Sequence, residues 1–144
     1  MTYVQQLIDA ASQVLGLDSN LIDYDYDVDH EDAIAYCDGD LDEINISINP
    51  AYLDSEHLIE IIAHEMIHAH QYLSGKMVNV SHIVTLWKGK EFINSSAFAH
   101  ISADERHEMY LNQPWERQAY ALQVKLATYM KEILCSQQSL ESSH

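Results

Sequence analysis

Basic residues are scarce in this chain: seven Lys and Arg stand against 23 Asp and Glu in 144 residues, a formal net charge of −16. That balance argues against sequence-independent nucleic-acid binding, which needs cations to displace counterions from phosphates. It suits a protein or peptide substrate of basic character, or serves solubility alone. Cysteine is nearly absent. Cys37 and Cys135 lie far apart and form no Cys-x-x-Cys pair, so a reduced, cytoplasmic setting fits better than a disulfide scaffold. The N-terminus has no basic segment leading into an apolar one, and no apolar run approaches a membrane span, so neither secretion nor membrane insertion is expected. Internal repeats are missing too. With 47% hydrophobic residues, the length suits one domain over residues 1–136, followed by a disordered polar tail over 137–144.

The patterning that is present points to an α+β fold. Val4, Leu7, Ile8, Ala11, Val14 and Leu15 share one helical face that ends at Gly16. Ile22, Tyr24, Tyr26 and Val28 alternate with Asp23, Asp25, Asp27 and Asp29 as a half-buried strand. Residues 33–37 and 44–48 form a hairpin across an Asp38-Gly39 turn, with Ile44, Ile46 and Ile48 inward and Asn45 and Ser47 outward. A second hairpin covers 77–92 around Lys88-Gly89, an unassigned segment runs from 101 to 111, and a last helix begins at Pro114. The aspartate clusters mimic the start of a calcium loop but lack its glycine and closing glutamate.

His64-Glu65-Met66-Ile67-His68 lies within an apolar run over 55–74, with Asp54 as N-cap between Leu53 and Leu58 and Gly75 at its end. On a helix, residues i and i+4 stand about 6 Å apart on one face, so both imidazoles reach one tetrahedral Zn²⁺ while Glu65 points toward a water beside it. A catalytic zinc site needs a third protein ligand and one open position. Glu116 is the candidate. It borders the apolar stripe of Trp115, Ala119, Leu122, Leu126, Tyr129 and Ile133, with small Ala119 three residues on, where a second helix can approach; a solvated face is the alternative. Tyr110 and Tyr120 are candidates to donate to an oxyanion, against the alternative of packed aromatics. His57, His70, His100 and His107 read as ordinary histidines.

The segment His64 to Gln71, then Trp87-Lys88-Gly89-Lys90, then Tyr110 ahead of Pro114-Trp115-Glu116, resembles the small zincin-type metallopeptidases of bacteriophages and prokaryotes, and is similar to minigluzincins, over about residues 58–120. The resemblance implies a zincin-like fold, with a small mixed or antiparallel sheet packed against a central helix and a C-terminal helix. It also implies a gluzincin site of His64, His68 and Glu116 with Glu65 as general base, and, for a phage protein, residence in the host cytoplasm. Peptide hydrolysis follows, with an extended substrate added beside an edge strand at 44–49. The competing class is an acidic binding protein on the same scaffold with structural zinc. A genome-tending protease of the SprT-like kind ranks third, for want of a basic tail and a Cys-rich zinc ribbon.

Overall fold

A computed structural model describes residues 1–26, 33–98 and 100–142. Helix α1 (Tyr3–Leu15) is capped by Thr2, whose hydroxyl accepts from Gln5 N, and is ended by Gly16 at φ 70°. Of the face read from the sequence, Val4, Leu7, Ile8 and Ala11 lie in the core and Leu15 packs against it, whereas Val14 is exposed. Strand β1 (Ile22–Asp25) follows and stops short of the expected alternation; residues 27–32 lie outside the described part.

Strands β2 (Ala35–Gly39) and β3 (Ile44–Ile48) are antiparallel, and β1 pairs with β3 in parallel, giving the order β1-β3-β2. The hairpin turn is not at Asp38-Gly39. Both residues belong to β2, and the connection is 40–43, where Asp40 Oδ1 accepts from Asp42 N at 2.8 Å and Glu43 N at 3.1 Å. Gly39 is there for a different reason. A Cβ on it would collide with the Glu43 carbonyl and the Ile44 side chain, so close approach of the turn excludes any side chain. Strand β3, expected at an edge, is central. It is also covered on both faces, with Ser47 buried beside Ile46 and Ile48 rather than outward.

Helix α2 (Leu58–Leu73) carries the two imidazoles and contacts α1, α4, β2 and β3, which is why it is apolar nearly all round. It begins later than the sequence suggests. Ser55 Oγ accepts from His57 N and holds 55–57 in a turn, and Asp54 makes no capping bond. The far end matches expectation, with Gly75 at φ 77°.

The 77–92 segment is a three-stranded meander, β4 (Met77–Asn79), β5 (Val84–Trp87) and β6 (Lys90–Ile93), not one hairpin. Lys88 and Gly89 turn between β5 and β6, both at positive φ, as a two-residue hairpin loop requires. Helix α3 (Ala103–Asn112) occupies the segment left unassigned. Its start is written as Ser102-Ala103-Asp104-Glu105, with the Ser102 hydroxyl accepting from Glu105 N. Helix α4 (Pro114–Ser142) closes the fold and runs past residue 137, where a tail was expected. Its buried face passes through Trp115, Glu116, Ala119, Leu126, Ala127 and Met130, whereas Leu122 and Tyr129 are 42% and 43% exposed. The face that meets α1 and α2 is thus rotated from the expected stripe toward Glu116. No helix among the described residues is long and apolar enough to cross a membrane.

Candidate metal centre

Helix α2 presents His64 and His68 one turn apart, and α4, packed across it, brings Glu116 between them. Ala119, fully buried one turn along α4, leaves room for the two helices to approach. Glu116 Oε1 lies 2.5 Å from His68 Nε2 and Oε2 lies 3.2 Å from His64 Nε2. One ligand atom from each residue falls within 4.8 Å of the others, and all three residues are buried. His100 is exposed, and His107 stacks at 6.5 Å on Tyr110 without joining the group. His57 stays at the surface beside Glu56, and His70 lies in a groove with Lys76 on another face of α2.

Two glutamines, given no role by the sequence reading, orient the imidazoles. His68 Nδ1 donates to Gln71 Oε1 at 2.7 Å, while Gln71 Nε2 donates to the Trp115 carbonyl and to Gln118 Oε1, each at 3.0 Å. The carbonyl can only accept, so the Gln71 amide is fixed and its oxygen must face the histidine. His64 Nδ1 makes the matching bond to Gln123 Oε1 at 2.7 Å. When neutral, each ring therefore aims the Nε2 lone pair at the Glu116 carboxylate. Lone pairs facing a carboxylate repel unless a cation, either a proton on Nε2 or a metal ion, lies between them. The sequence signal was available: Gln71 and Gln123 are amides set among apolar neighbours, at spacings that return to the site.

Glu65 supplies a second test of fit. It is 6% exposed, and Oε2 is fully buried with no hydrogen-bond partner among the described residues. A native interior rarely leaves a carboxylate oxygen so placed without a counterpart. The donor set of two imidazoles, one carboxylate and a free carboxylate beside them fits a zinc-type ion. Burial raises the Glu65 carboxyl above its ordinary value, and the neighbouring imidazoles reverse that only in part. Glu116 goes the other way. Burial would raise it, but the hydrogen bonds and charge of His64 and His68 outweigh burial and hold it at about 2.

Both tyrosines reach the centre. The Tyr120 ring lies 4.5 Å from that of His64, and burial together with the facing Glu116 carboxylate keeps the Tyr110 hydroxyl protonated. Trp115 is fixed against Trp87 at 6.5 Å and Phe92 at 6.0 Å, so the two tryptophan motifs of the sequence meet and anchor the carbonyl that Gln71 uses. Two hollows of about 310 Å³ and 430 Å³ flank the centre and share Ala35, Glu65 and Tyr110. Strand β2 borders both. It is an edge of its sheet, the position expected of 44–49.

Comparison with known proteins agrees with the zincin-like α+β fold. None of the curated proteins and none of the solved structures matches the chain. The SprT-like family model matches residues 6–107, α1 through the first half of α3. That match shows the family that was named third above, and it does not test the genome-tending activity named with it there. Glu116 lies beyond the matched residues, and its place in the centre rests on geometry alone. With a family model of possible zinc metallopeptidases covering more than two thirds of its length, and with a buried His/His/Glu group able to hold a metal, the chain belongs to the SprT-like family.

Proposed function

We propose that this protein is a zinc-dependent peptidase of gluzincin type, with His64, His68 and Glu116 as ligands and Glu65 as general base. One observation carries the reading: two imidazoles and a carboxylate converge beside a buried Glu65 oxygen that has no partner. A zinc ion there would acidify water and polarise the scissile carbonyl. Glu65, its carboxyl raised by burial, takes a proton from the attacking water and passes it to the leaving amine. Tyr110 and Tyr120, which line a hollow together with His64 and Glu65, would donate to the oxyanion. An extended substrate lies along β2, and acidic residues at the end of that strand favour basic chains. The closer kinship to minigluzincins, a phage origin and a cytoplasmic site of action belong to this proposal.

The competing reading, an acidic binding protein with structural zinc, has in its favour the cluster of Asp23, Asp38, Asp40 and Glu43 beside the β2–β3 turn. Glu65→Gln separates the two. The variant should keep about one zinc per chain by elemental analysis and lose about 100-fold or more of peptidase activity, within the range of general-base catalysis. An unaltered biological effect of Glu65→Gln in cells would favour the binder.

A further inference from the structure

The hollow on the meander side of the centre has a floor unlike the rest of the molecule. Among the described residues, and apart from the centre's own Glu65, His68 and Glu116, its lining carries no carboxylate, no histidine and no basic group, in a chain of net charge −16. Its polar groups are neutral and held in fixed orientations. Thr85 Oγ1 donates to Asn94 Oδ1 at 2.7 Å and approaches Asn79 Oδ1 at 3.3 Å. Asn94 Nδ2 donates to the His82 carbonyl at 3.2 Å. Asn79 Nδ2 donates to the Tyr72 hydroxyl oxygen at 2.9 Å and more weakly, at 3.4 Å, to Asp38, which lies outside the lining. Gln113 is fixed by Ser95 N, which donates to its Oε1 at 2.9 Å.

The chain of bonds ends at Tyr72. Its oxygen accepts from Asn79, and among the described residues its proton has no acceptor. Burial keeps that proton in place through the neutral range. A hollow of this make-up discriminates in two directions. An apolar side chain would leave the Tyr72 proton desolvated without a partner, and an ammonium or carboxylate would lose water with no counter-charge beyond the groups of the centre itself. A neutral side chain offering an acceptor and a donor meets neither cost.

We infer that this hollow is a specificity pocket that takes an uncharged, hydrogen-bonding side chain, of the Asn, Gln, Ser or Thr class, from the substrate residue next to the scissile bond. The inference rests on the peptidase reading and adds its side-chain preference. The basic character proposed for the substrate then acts along the rest of the chain, through the acids at the far end of β2.

The test uses zinc-loaded protein and labelled alanine-based octapeptides, each carrying one substitution. Peptides with Asn, Gln, Ser or Thr at one position adjoining the cleaved bond should exceed their Leu, Asp and Lys counterparts in kcat/KM by about tenfold or more. Tyr72→Phe combined with Thr85→Val removes two hydroxyls while keeping shape. It should reduce that ratio to about threefold or less while zinc content, read by elemental analysis, stays at the wild-type value. A wild-type preference for Lys, Arg or Leu at that position, or a polar preference that survives both substitutions, overturns the inference. Binding of the same peptides to Glu65→Gln, followed by fluorescence anisotropy, separates this question from catalysis. If no peptide is cleaved but polar peptides bind the variant about tenfold more tightly than Leu peptides, the pocket stands and the peptidase reading fails. Equal binding, or none, removes the pocket.

Discussion

Helices α2 and α3 both send side chains to the same cleft, from opposite settings. In α2, His64, Glu65, His68 and Gln71 are all buried, each imidazole is bonded behind to an amide, and the helix is enclosed by α1, α4 and the first sheet. In α3 no residue is buried, and the helix is held by its Ser102 cap and by contacts with α4 and the 95–97 turn. The two imidazoles of the proposed centre and its proposed base thus come from the enclosed helix α2, Glu116 comes from α4, and Tyr110 comes from the exposed helix α3. Metal affinity needs ligands fixed against repulsion when the ion leaves, whereas a substrate contact has to admit a chain from outside. Stability and function should therefore part company between the two helices.

The largest effect should follow from breaking the amide behind an imidazole. Gln71→Leu keeps the volume but frees the His68 ring and leaves the Trp115 carbonyl and Gln118 without their donor, so zinc affinity should fall about 10–100-fold. Gln123→Leu makes the same change behind His64, at a half-buried position where water can replace the amide, and should fall toward the low end of that range. Competition against a chromophoric chelator measures both. Equal losses would show that enclosure is not what holds the centre.

A smaller effect should come from pH. On α2, His68 and His70 lie two residues apart and are displaced in opposite senses. Burial pulls His68 down, but the hydrogen bond and charge of Glu116 prevail and raise it above 6.5; burial, with Lys76 nearby, lowers His70 below it. A ligand imidazole must be neutral, so a raised pKa lets protons compete at higher pH. Zinc affinity should be steady above the raised His68 value and decline as pH falls through it, the decline beginning in the interval above 6.5. The zinc-free protein should show the two rings titrating on opposite sides of 6.5 by NMR. A flat zinc affinity across that interval would contradict the coupling to Glu116.

Much of the enclosed region was legible in the sequence, because it repeats a helical period and a metal spacing. His64, Glu65 and His68 follow from i, i+4 geometry, and Glu116 follows from its place beside an apolar stripe, even though that stripe was read one position off at Leu122 and Tyr129. The sheet was less legible. Asp38-Gly39 carries the usual hairpin signature, yet Gly39 is required by the approach of Glu43 and Ile44, a contact between residues that only the folded turn brings together. The central place of β3 depends on a parallel partner, β1, that no local pattern announces. Helix α3 was missed because it has no apolar period to read, although its capping box was in plain view.

The smallest effect tests that cap. Ser102→Ala removes the acceptor for Glu105 N and should cost α3 about 1 kcal/mol, the usual worth of an N-cap hydroxyl. With nothing buried in α3 to resist it, the loss should appear as local opening rather than as a change in global unfolding. Hydrogen exchange should therefore quicken in α3 by about fivefold, the factor that corresponds to 1 kcal/mol, while α2 amides and zinc affinity stay as they were. Peptidase activity should decline modestly, through looser placement of Tyr110. If zinc affinity falls along with α3 protection, the two helices are not independent, and Tyr110 would have to be counted among the groups that hold Glu116 in place rather than among those that meet substrate.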